Sequence, residues 1–260
     1  MQINKAISRL VRVAYEGVPT WGILEEDQVY SIKGDPFAAW SRGVALGPAT
    51  SMTLLPPATP TKVVCVGRNY VAHAAEHGVE VPTEPLLFLK PPSSVIGPEA
   101  TIVVPSLSQR VEHEGELAVV IGKRCRNVTP EKTWDYVLGL TCGNDVTARD
   151  LQRKDGQWTR GKGFDTFCPL GPWLVTGLSE ADVADLSVTC RVNGEVRQQG
   201  RTSQMVFSPA VLIAYAASVM TLEAGDVFLT GTPSGVGPLN PGDVVEVDIE
   251  SIGLLRNPVH

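Results

Sequence analysis

Val111-Glu112-His113-Glu114-Gly115-Glu116-Leu117-Ala118-Val119-Val120-Ile121-Gly122 sets acidic residues two apart at the mouth of an almost purely apolar run. Residues Leu117 to Ile121, β-branched or aliphatic, read as a buried strand that Gly122-Lys123 ends. Side chains alternate faces along a strand, so Glu114 and Glu116 point the same way. Two carboxylates buried on one face repel each other; leaving them unpaired costs on the order of several kcal/mol or forces one to take a proton. A hard divalent cation would remove that conflict. The other reading is a solvated strand end with scattered acids.

The 260 residues allow one large domain, or a main domain with a small appendage. Hydrophobic content of 43% with 19% charged residues fits a globular chain that can bury a sizeable core. A net charge of −6 disfavours nucleic acid or an anionic membrane as partner. No segment approaches the roughly 20 continuous apolar residues of a membrane span. Met1-Gln2-Ile3-Asn4-Lys5 lacks the apolar core of a signal peptide, so a cytoplasmic location is expected. The five cysteines form no CxxC pair and sit mostly in apolar runs, which reads as small core residues in a reducing compartment.

Residues 8–33 read as a small β unit, with Leu10–Tyr15, Trp21–Leu24 and Val29–Ile32 separated by turns. A polar, proline-rich connector follows and ends in Pro56-Pro57-Ala58-Thr59-Pro60, the best domain boundary. The expected division is a small N-terminal domain, 1–58, and a main domain, 59–260. Within the second, Val63-Val64-Cys65-Val66 and Leu86-Leu87-Phe88-Leu89-Lys90 are strands, with a short helix over 71–77. Thr129-Pro130-Glu131 reads as a helix start with Thr as N-cap. Leu138 to Asn144 is a strand delivering Asp145 to its end, and 147–154 reads as a short helix. Asn193-Gly194 is the strongest hairpin signal. Ser208-Pro209 opens the longest helix, and Val227 to Leu229 feeds a glycine-rich loop. Val244 to Ile249 reads as the final strand. Short strands outnumber helices without βαβ alternation, giving an α+β fold with a mixed or antiparallel sheet.

Asp145 adds a third acid to Glu114 and Glu116. Three oxygen donors without Cys or a His pair at metal spacing point to a hard ion, Mg²⁺ first, with Mn²⁺ or Ca²⁺ able to substitute. Asp145 could instead cap the helix that follows it. His73 and Glu76, three apart, share a helical face, and a carboxylate beside an imidazole raises its basicity for work as a general base; a surface His with a helical neighbour is the alternative. His77 falls on another face and is given no role. Lys162, between Gly161 and Gly163, can approach an anionic ligand, or is simply a loop lysine. Arg149 and Gln152 can both face a site built around Asp145. Gly231-Thr232-Pro233-Ser234-Gly235-Val236-Gly237 could hold carboxylate oxygens with backbone N–H groups and the Thr232 hydroxyl. The loop lacks the phosphate-binding GxxxxGK[ST] pattern and does not open a βαβ unit, and no GxSxG is present.

These stretches, in this order, resemble the fumarylacetoacetate hydrolase family. The match is carried by Gly67-Arg68-Asn69-Tyr70 with His73 and Glu76, Glu114-Gly115-Glu116-Leu117, Asn144 to Asp150, Gly161 to Asp165, Gly231 to Gly237, and Ile252 to Pro258. It covers about residues 60–260. The resemblance implies a mixed β-sandwich roll with a small N-terminal β-rich domain, usually a homodimer. It implies metal ligands at Glu114, Glu116 and Asp145, with Mg²⁺ or Mn²⁺. It implies catalytic roles for His73 and Glu76, in a segment that can order as a lid, and for Lys162. Arg149, Gln152 and Thr232 match positions near substrate. The chain length points to the bacterial-type branch, acting on smaller oxo acids.

The expected activity is metal-dependent C–C bond cleavage in a 2-oxo or 2,4-dioxo acid, with water activated by the His73–Glu76 pair. Decarboxylation or enol–keto isomerisation of a 2-oxo-diacid from aromatic catabolism uses the same enolate and stands beside it. A non-catalytic dicarboxylate-binding protein is the alternative from another class.

Overall fold

The computed structural model describes residues 7–76, 78 and 80–260. The N-terminal pentapeptide and His77 lie outside them. In chain order the first strands are β1 (Ser8–Tyr15), β2 (Val18–Glu25), β3 (Gln28–Gly34), β4 (Trp40–Pro48) and β5 (Thr53–Leu55). Next come β6 (Val63–Gly67), α1 (Val71–Glu76), β7 (Leu86–Lys90), β8 (Val95–Ile96), β9 (Val111–His113) and β10 (Gly115–Ile121). Then follow β11 (Val137–Asn144), β12 (Thr147–Ala148), α2 (Arg149–Asp155), α3 (Thr159–Lys162) and β13 (Cys168–Thr176). The chain closes with β14 (Ser187–Val192), β15 (Glu195–Arg201), α4 (Pro209–Val219), β16 (Val227–Leu229), β17 (Gly237–Pro238), β18 (Val244–Ile249) and β19 (Gly253–Pro258).

Strand β10 lies near the middle of the main sheet, whose order is β4-β3-β2-β1-β13-β11-β10-β16-β6-β7. It pairs antiparallel with β11 and β16, and β16 runs parallel to β6. Every residue of β10 is buried. Its odd positions, Leu117, Val119 and Ile121, join a core with Val188, Val192, Val247 and Ile249 of a separate sheet ordered β15-β14-β18-β19. Its even positions, Ala118 and Val120, join a second core with Leu10, Ile23, Val63, Leu170 and Leu229. A strand covered on both faces reads as a continuous apolar run, which explains the opening stretch. The sheet curls so that Trp21, Tyr30 and Trp40 near its N-terminal edge pack onto the second core. The result is the expected α+β roll: a large curled sheet with a smaller sheet packed on one face.

Several local expectations change. The connector after residue 33 contains β4 and β5; cross-strand pairing with β3 and β1 overrides its polar, proline-rich composition. Residues 130–136 form a 3₁₀ helix, and the Thr129 side chain caps no backbone N–H. Thr147 and Ala148 are strand, paired with Glu112 and Val111, so α2 starts only at Arg149 and Asp145 is not its N-cap. The strand Val244–Ile249 is not the last, because β19 returns antiparallel to it. The β14–β15 hairpin turns on Asn193 and Gly194, both at positive φ, as the sequence predicts. Ser208 caps α4, accepting a hydrogen bond from the Val211 N–H. The boundary near residue 58 follows β5, and strands on its two sides share one sheet because β1 pairs with β13. All five cysteines are buried and unpaired. Among the described residues no helix is long and apolar enough to cross a membrane.

Candidate active site

Antiparallel pairing of β10 and β11 sets Gly115 opposite Asn144. This register brings the start of one strand to the end of the other, and Asp145 N–H donates to the Glu114 carbonyl at 2.9 Å. Glu114 falls in the break between β9 and β10, and its N–H donates to Asn144 Oδ1 at 3.0 Å. Carboxylate oxygens of Glu114, Glu116 and Asp145 lie within 4.8 Å of one another, and all three residues are buried.

Three cations face this cluster. Lys162, at the end of α3, places Nζ 2.8 Å from Glu114 Oε2 and 2.6 Å from Asp145 Oδ2. It is buried, not a mobile loop lysine. Its flanking glycines permit close approach of backbone: a Cβ on Gly161 would stand 2.8 Å from Gln152 N, and one on Gly163 2.5 Å from the Thr159 carbonyl. Lys90, at the end of β7, donates to Asp145 Oδ1 at 2.6 Å and to the Val146 carbonyl at 3.1 Å. Arg149 opens α2, donates from Nε to Glu112 Oε2 at 2.6 Å and also donates to Glu114. The same guanidinium donates to Gln152 Oε1 at 2.6 Å, so residues three apart on the helix meet as expected.

The surroundings push Glu114 and Glu116 in opposite directions. Burial alone would push Glu114 up, but Lys162 and Arg149 outweigh it and hold its carboxyl well below the ordinary value. Burial pushes Glu116 well up, and the neighbouring Asp145 and Glu114 charges add to the rise. Glu116 makes no ion pair among the described residues; its Oε2 accepts one backbone hydrogen bond, from Gly231 at 2.6 Å. Of the three acids, Glu116 is the one that no described cation pairs directly. All three donors are carboxylate oxygens, the set a hard divalent ion takes, so the residues fit Mg²⁺ or Mn²⁺.

His73 on α1 is buried, with Nδ1 3.3 Å from Glu76 Oε2. Glu76 is held in turn by the Gly235 N–H, 3.1 Å from Oε1. The glycine-rich loop thus uses its N–H groups on the protein's own acids: Gly231 on Glu116 and Gly235 on Glu76. The Thr232 hydroxyl donates to the Gly115 carbonyl at 2.8 Å and accepts from Gln198 Nε2 at 2.7 Å. These three donors, the Gly231 and Gly235 N–H groups and the Thr232 hydroxyl, bond within the protein and tie the loop to β10 and α1, while Thr232 also lines the cavity.

One cavity of 320 Å³ joins these groups. His73, Glu114, Glu116, Asp145, Arg149, Gln152, Lys162 and Thr232 all line it, so it gathers every site residue read from the sequence except Glu76, which reaches it through His73. Its size is at the lower end of the roughly 300–1,000 Å³ of small-molecule sites, suited to a small acid. Val66, Phe88 and Trp158 form apolar wall, with Phe88 and Trp158 packed edge to face at 5.1 Å.

Sequence reading missed four contributors. Lys90 was legible as a lysine closing an apolar strand. Glu112 continues the two-residue spacing of Glu114 and Glu116, and it orients Arg149. Gln198 carried no local signal; its amide joins His113, Gly115, Thr232 and Pro233 across three elements. Arg68 sits in a quoted motif but was assigned nothing.

The model of the fumarylacetoacetate (FAA) hydrolase C-terminal domain matches residues 62–260, and an Rv2993c-like N-terminal model matches 8–57. The chain belongs to the fumarylacetoacetate hydrolase family. It is 50% identical over 222 residues to the human mitochondrial oxaloacetate tautomerase FAHD2A, covering 82% of this chain and 71% of that one. The crystal structure of 5-carboxymethyl-2-hydroxymuconate delta-isomerase from Mycobacterium smegmatis superposes with a TM-score of 0.89 at 45% identity, covering 96% of this chain and 98% of that one. The 2-hydroxyhepta-2,4-diene-1,7-dioate isomerase of Mycobacterium marinum gives a TM-score of 0.89 at 42% identity, covering 97% and 98%. Members of this family include isomerases, a tautomerase and hydrolases, so an enzymatic role follows from membership.

Proposed function

We propose that this chain is a divalent-metal-dependent enzyme that moves a proton on a 2-oxo acid, interconverting enol and keto forms or shifting an adjacent double bond. The observation behind this reading is the meeting, in one cavity, of three carboxylates, a buried lysine and a carboxylate-oriented imidazole. Glu114, Glu116 and Asp145 would hold the ion, which when bound would supply Lewis acidity to the 2-oxo acid. Lys162 commits two of its three N–H donors to Glu114 and Asp145 and lines the cavity, so its third is available to negative charge developing on the substrate oxygen. His73, oriented by Glu76, takes the proton from the carbon next to the carbonyl and returns it. Phe88 and Trp158 exclude water from the carbon chain. The names of the tautomerase and isomerase relatives support this order of preference.

A second reading, hydrolysis of an acylpyruvate-like C–C bond, is favoured by the same His73–Glu76 pair, which could instead deprotonate a water. Incubation with Mg²⁺ and oxaloacetate, an acylpyruvate or a 2-hydroxy-dienedioate, followed by ultraviolet absorbance and NMR, separates them. Expected is faster loss of enol with the carbon skeleton intact, abolished by chelator. Pyruvate released from the acylpyruvate supports hydrolysis. No acceleration of any substrate, or activity indifferent to chelator, overturns the metal-dependent reading.

A further inference from the structure

Gln198 does not line the cavity; it lies on β15 of the smaller sheet, buried, with its amide fully used. Oε1 accepts from the Gly115 N–H at 3.0 Å, and Nε2 donates to the Pro233 carbonyl at 2.7 Å. A backbone donor on one side and a backbone acceptor on the other forbid the flipped amide. The remaining partners are then fixed as well. His113 Nδ1, 3.0 Å from Oε1, donates, and Thr232 Oγ1, 2.7 Å from Nε2, accepts. Thr232 sends its own proton to the Gly115 carbonyl at 2.8 Å. The hydroxyl therefore has one orientation, set from β15.

The strand meets the glycine-rich loop elsewhere too. Cys190 pairs with Gln198 and Arg191 with Val196, so Arg197 is an extra residue, a bulge. Strict alternation would set Val196 and Gln198 on one face; the bulge turns them apart, leaving Val196 54% exposed and Gln198 inward at 1%. A Cβ on Gly235 would stand 2.0 Å from the Arg197 carbonyl oxygen, and one on Gly200 2.6 Å from Pro233 Cβ. The loop is thus seated on β15 by hydrogen bonds and by close backbone approach. That same loop holds two acids of the site: the Gly231 N–H bonds Glu116 at 2.6 Å, and the Gly235 N–H bonds Glu76 at 3.1 Å.

We infer that Gln198 is a positioning residue for the reaction proposed above: it seats the loop so that Glu116, an acid that would hold the ion, and Glu76, the acid that orients the base, are placed together. This rests on the metal-dependent reading. Gln198 acts through Thr232 and Pro233, from a sheet that supplies no other group to the cavity lining. Residues that orient the ligands of a metal site change metal affinity or activity by about 10- to 100-fold when removed. Because one loop carries both N–H groups, a shift of that loop disturbs the ion's site and the base at once.

The test compares wild type with Gln198→Met, which keeps the side-chain length and removes the amide. Val192→Ala, in the apolar core on neighbouring β14, controls for lost stability. Mg²⁺ binding is measured by isothermal titration calorimetry on the folded proteins, and kcat by the ultraviolet loss of oxaloacetate enol. Expected in Gln198→Met is Mg²⁺ binding weakened and kcat lowered, each by about 10-fold or more, with Val192→Ala changing neither by more than about twofold. Unchanged values in Gln198→Met, or equal losses in Val192→Ala, overturn the positioning role. A loss confined to one of the two quantities overturns the joint placement of Glu116 and Glu76. Should Gln198→Met not fold, Gly200→Ala, which presses on Pro233 from the same strand, takes its place with the same expectations. If the wild type binds Mg²⁺ but converts no 2-oxo acid, the proposed reaction fails by itself, and Mg²⁺ affinity alone judges Gln198. A wild type that binds no Mg²⁺ overturns the metal-dependent reading and this inference with it.

Discussion

Replacing Lys162 with Met tests the charge arrangement of the acidic cluster without relying on turnover. Lys162 Nζ is buried and bonded to Glu114 at 2.8 Å and Asp145 at 2.6 Å, so its removal leaves carboxylates facing one another with Lys90 and Arg149 as the remaining cations. Removing one partner of a buried ion pair costs about 3–5 kcal/mol, because the surviving charge stays buried. In a chain this size each kcal/mol shifts Tm by roughly 2–4 °C, so the variant in chelator should melt about 6–20 °C below wild type. Mg²⁺ reverses part of this. A unit positive charge removed from about 4 Å away favours a divalent ion by on the order of 8 kcal/mol at an effective dielectric of 20, so the variant should bind Mg²⁺ more tightly and gain more stability from it. Differential scanning fluorimetry across a Mg²⁺ titration should therefore show a Tm rise in the variant about 5 °C or more beyond that in wild type. Equal Mg²⁺ shifts in the two proteins, or a variant as stable as wild type in chelator, would refute both the ion-pair role of Lys162 and the placement of a cation beside it.

Two further outcomes follow from particular contacts. Burial alone would raise the Glu112 carboxyl, but the charges and hydrogen bonds of Arg149 and Arg110 hold it below its ordinary value. A depressed carboxyl contributes stability above its unfolded value, about pH 4.3, and loses that contribution as pH falls through the folded value. The gap in urea midpoint between wild type and Glu112→Gln should therefore be widest near neutrality and close in acid; a pH-independent gap contradicts the assignment. Gly235 sits at φ 99°, where a Cβ would stand 2.0 Å from the Arg197 carbonyl, whereas Gly242 at φ 97° has open space. Gly235→Ala should cost about 3 kcal/mol or more, beyond ordinary overpacking, and lower activity by displacing the N–H that holds Glu76. Gly242→Ala should cost only the backbone strain of about 1–2 kcal/mol. Equal denaturation midpoints for the two variants would overturn the steric account.

Much of the site is legible along the chain because its groups have local signatures. His73 and Glu76 are one helical turn apart, and Glu114 and Glu116 lie on one side of a near-continuous strand path. Tertiary pairing overrode the local signals elsewhere. β4 forms in a stretch read as connector because β3 offers a free edge. Thr147 and Ala148 leave the helical pattern because β9 pairs with them. The Thr232 hydroxyl and the Gly231 and Gly235 N–H groups bond to Gly115, Glu116 and Glu76 of the protein itself.

By itself, the sequence determined the α+β class, the central strand, read as Leu117–Ile121, and the acids Glu114, Glu116 and Asp145 at strand ends, because periodicity and burial of a two-sided strand are written in consecutive residues. Only the tertiary structure decided which charges meet. Lys90, 55 positions before Asp145, and Gln198, 83 positions after Gly115, enter the site through strand pairing and sheet packing that no local pattern specifies.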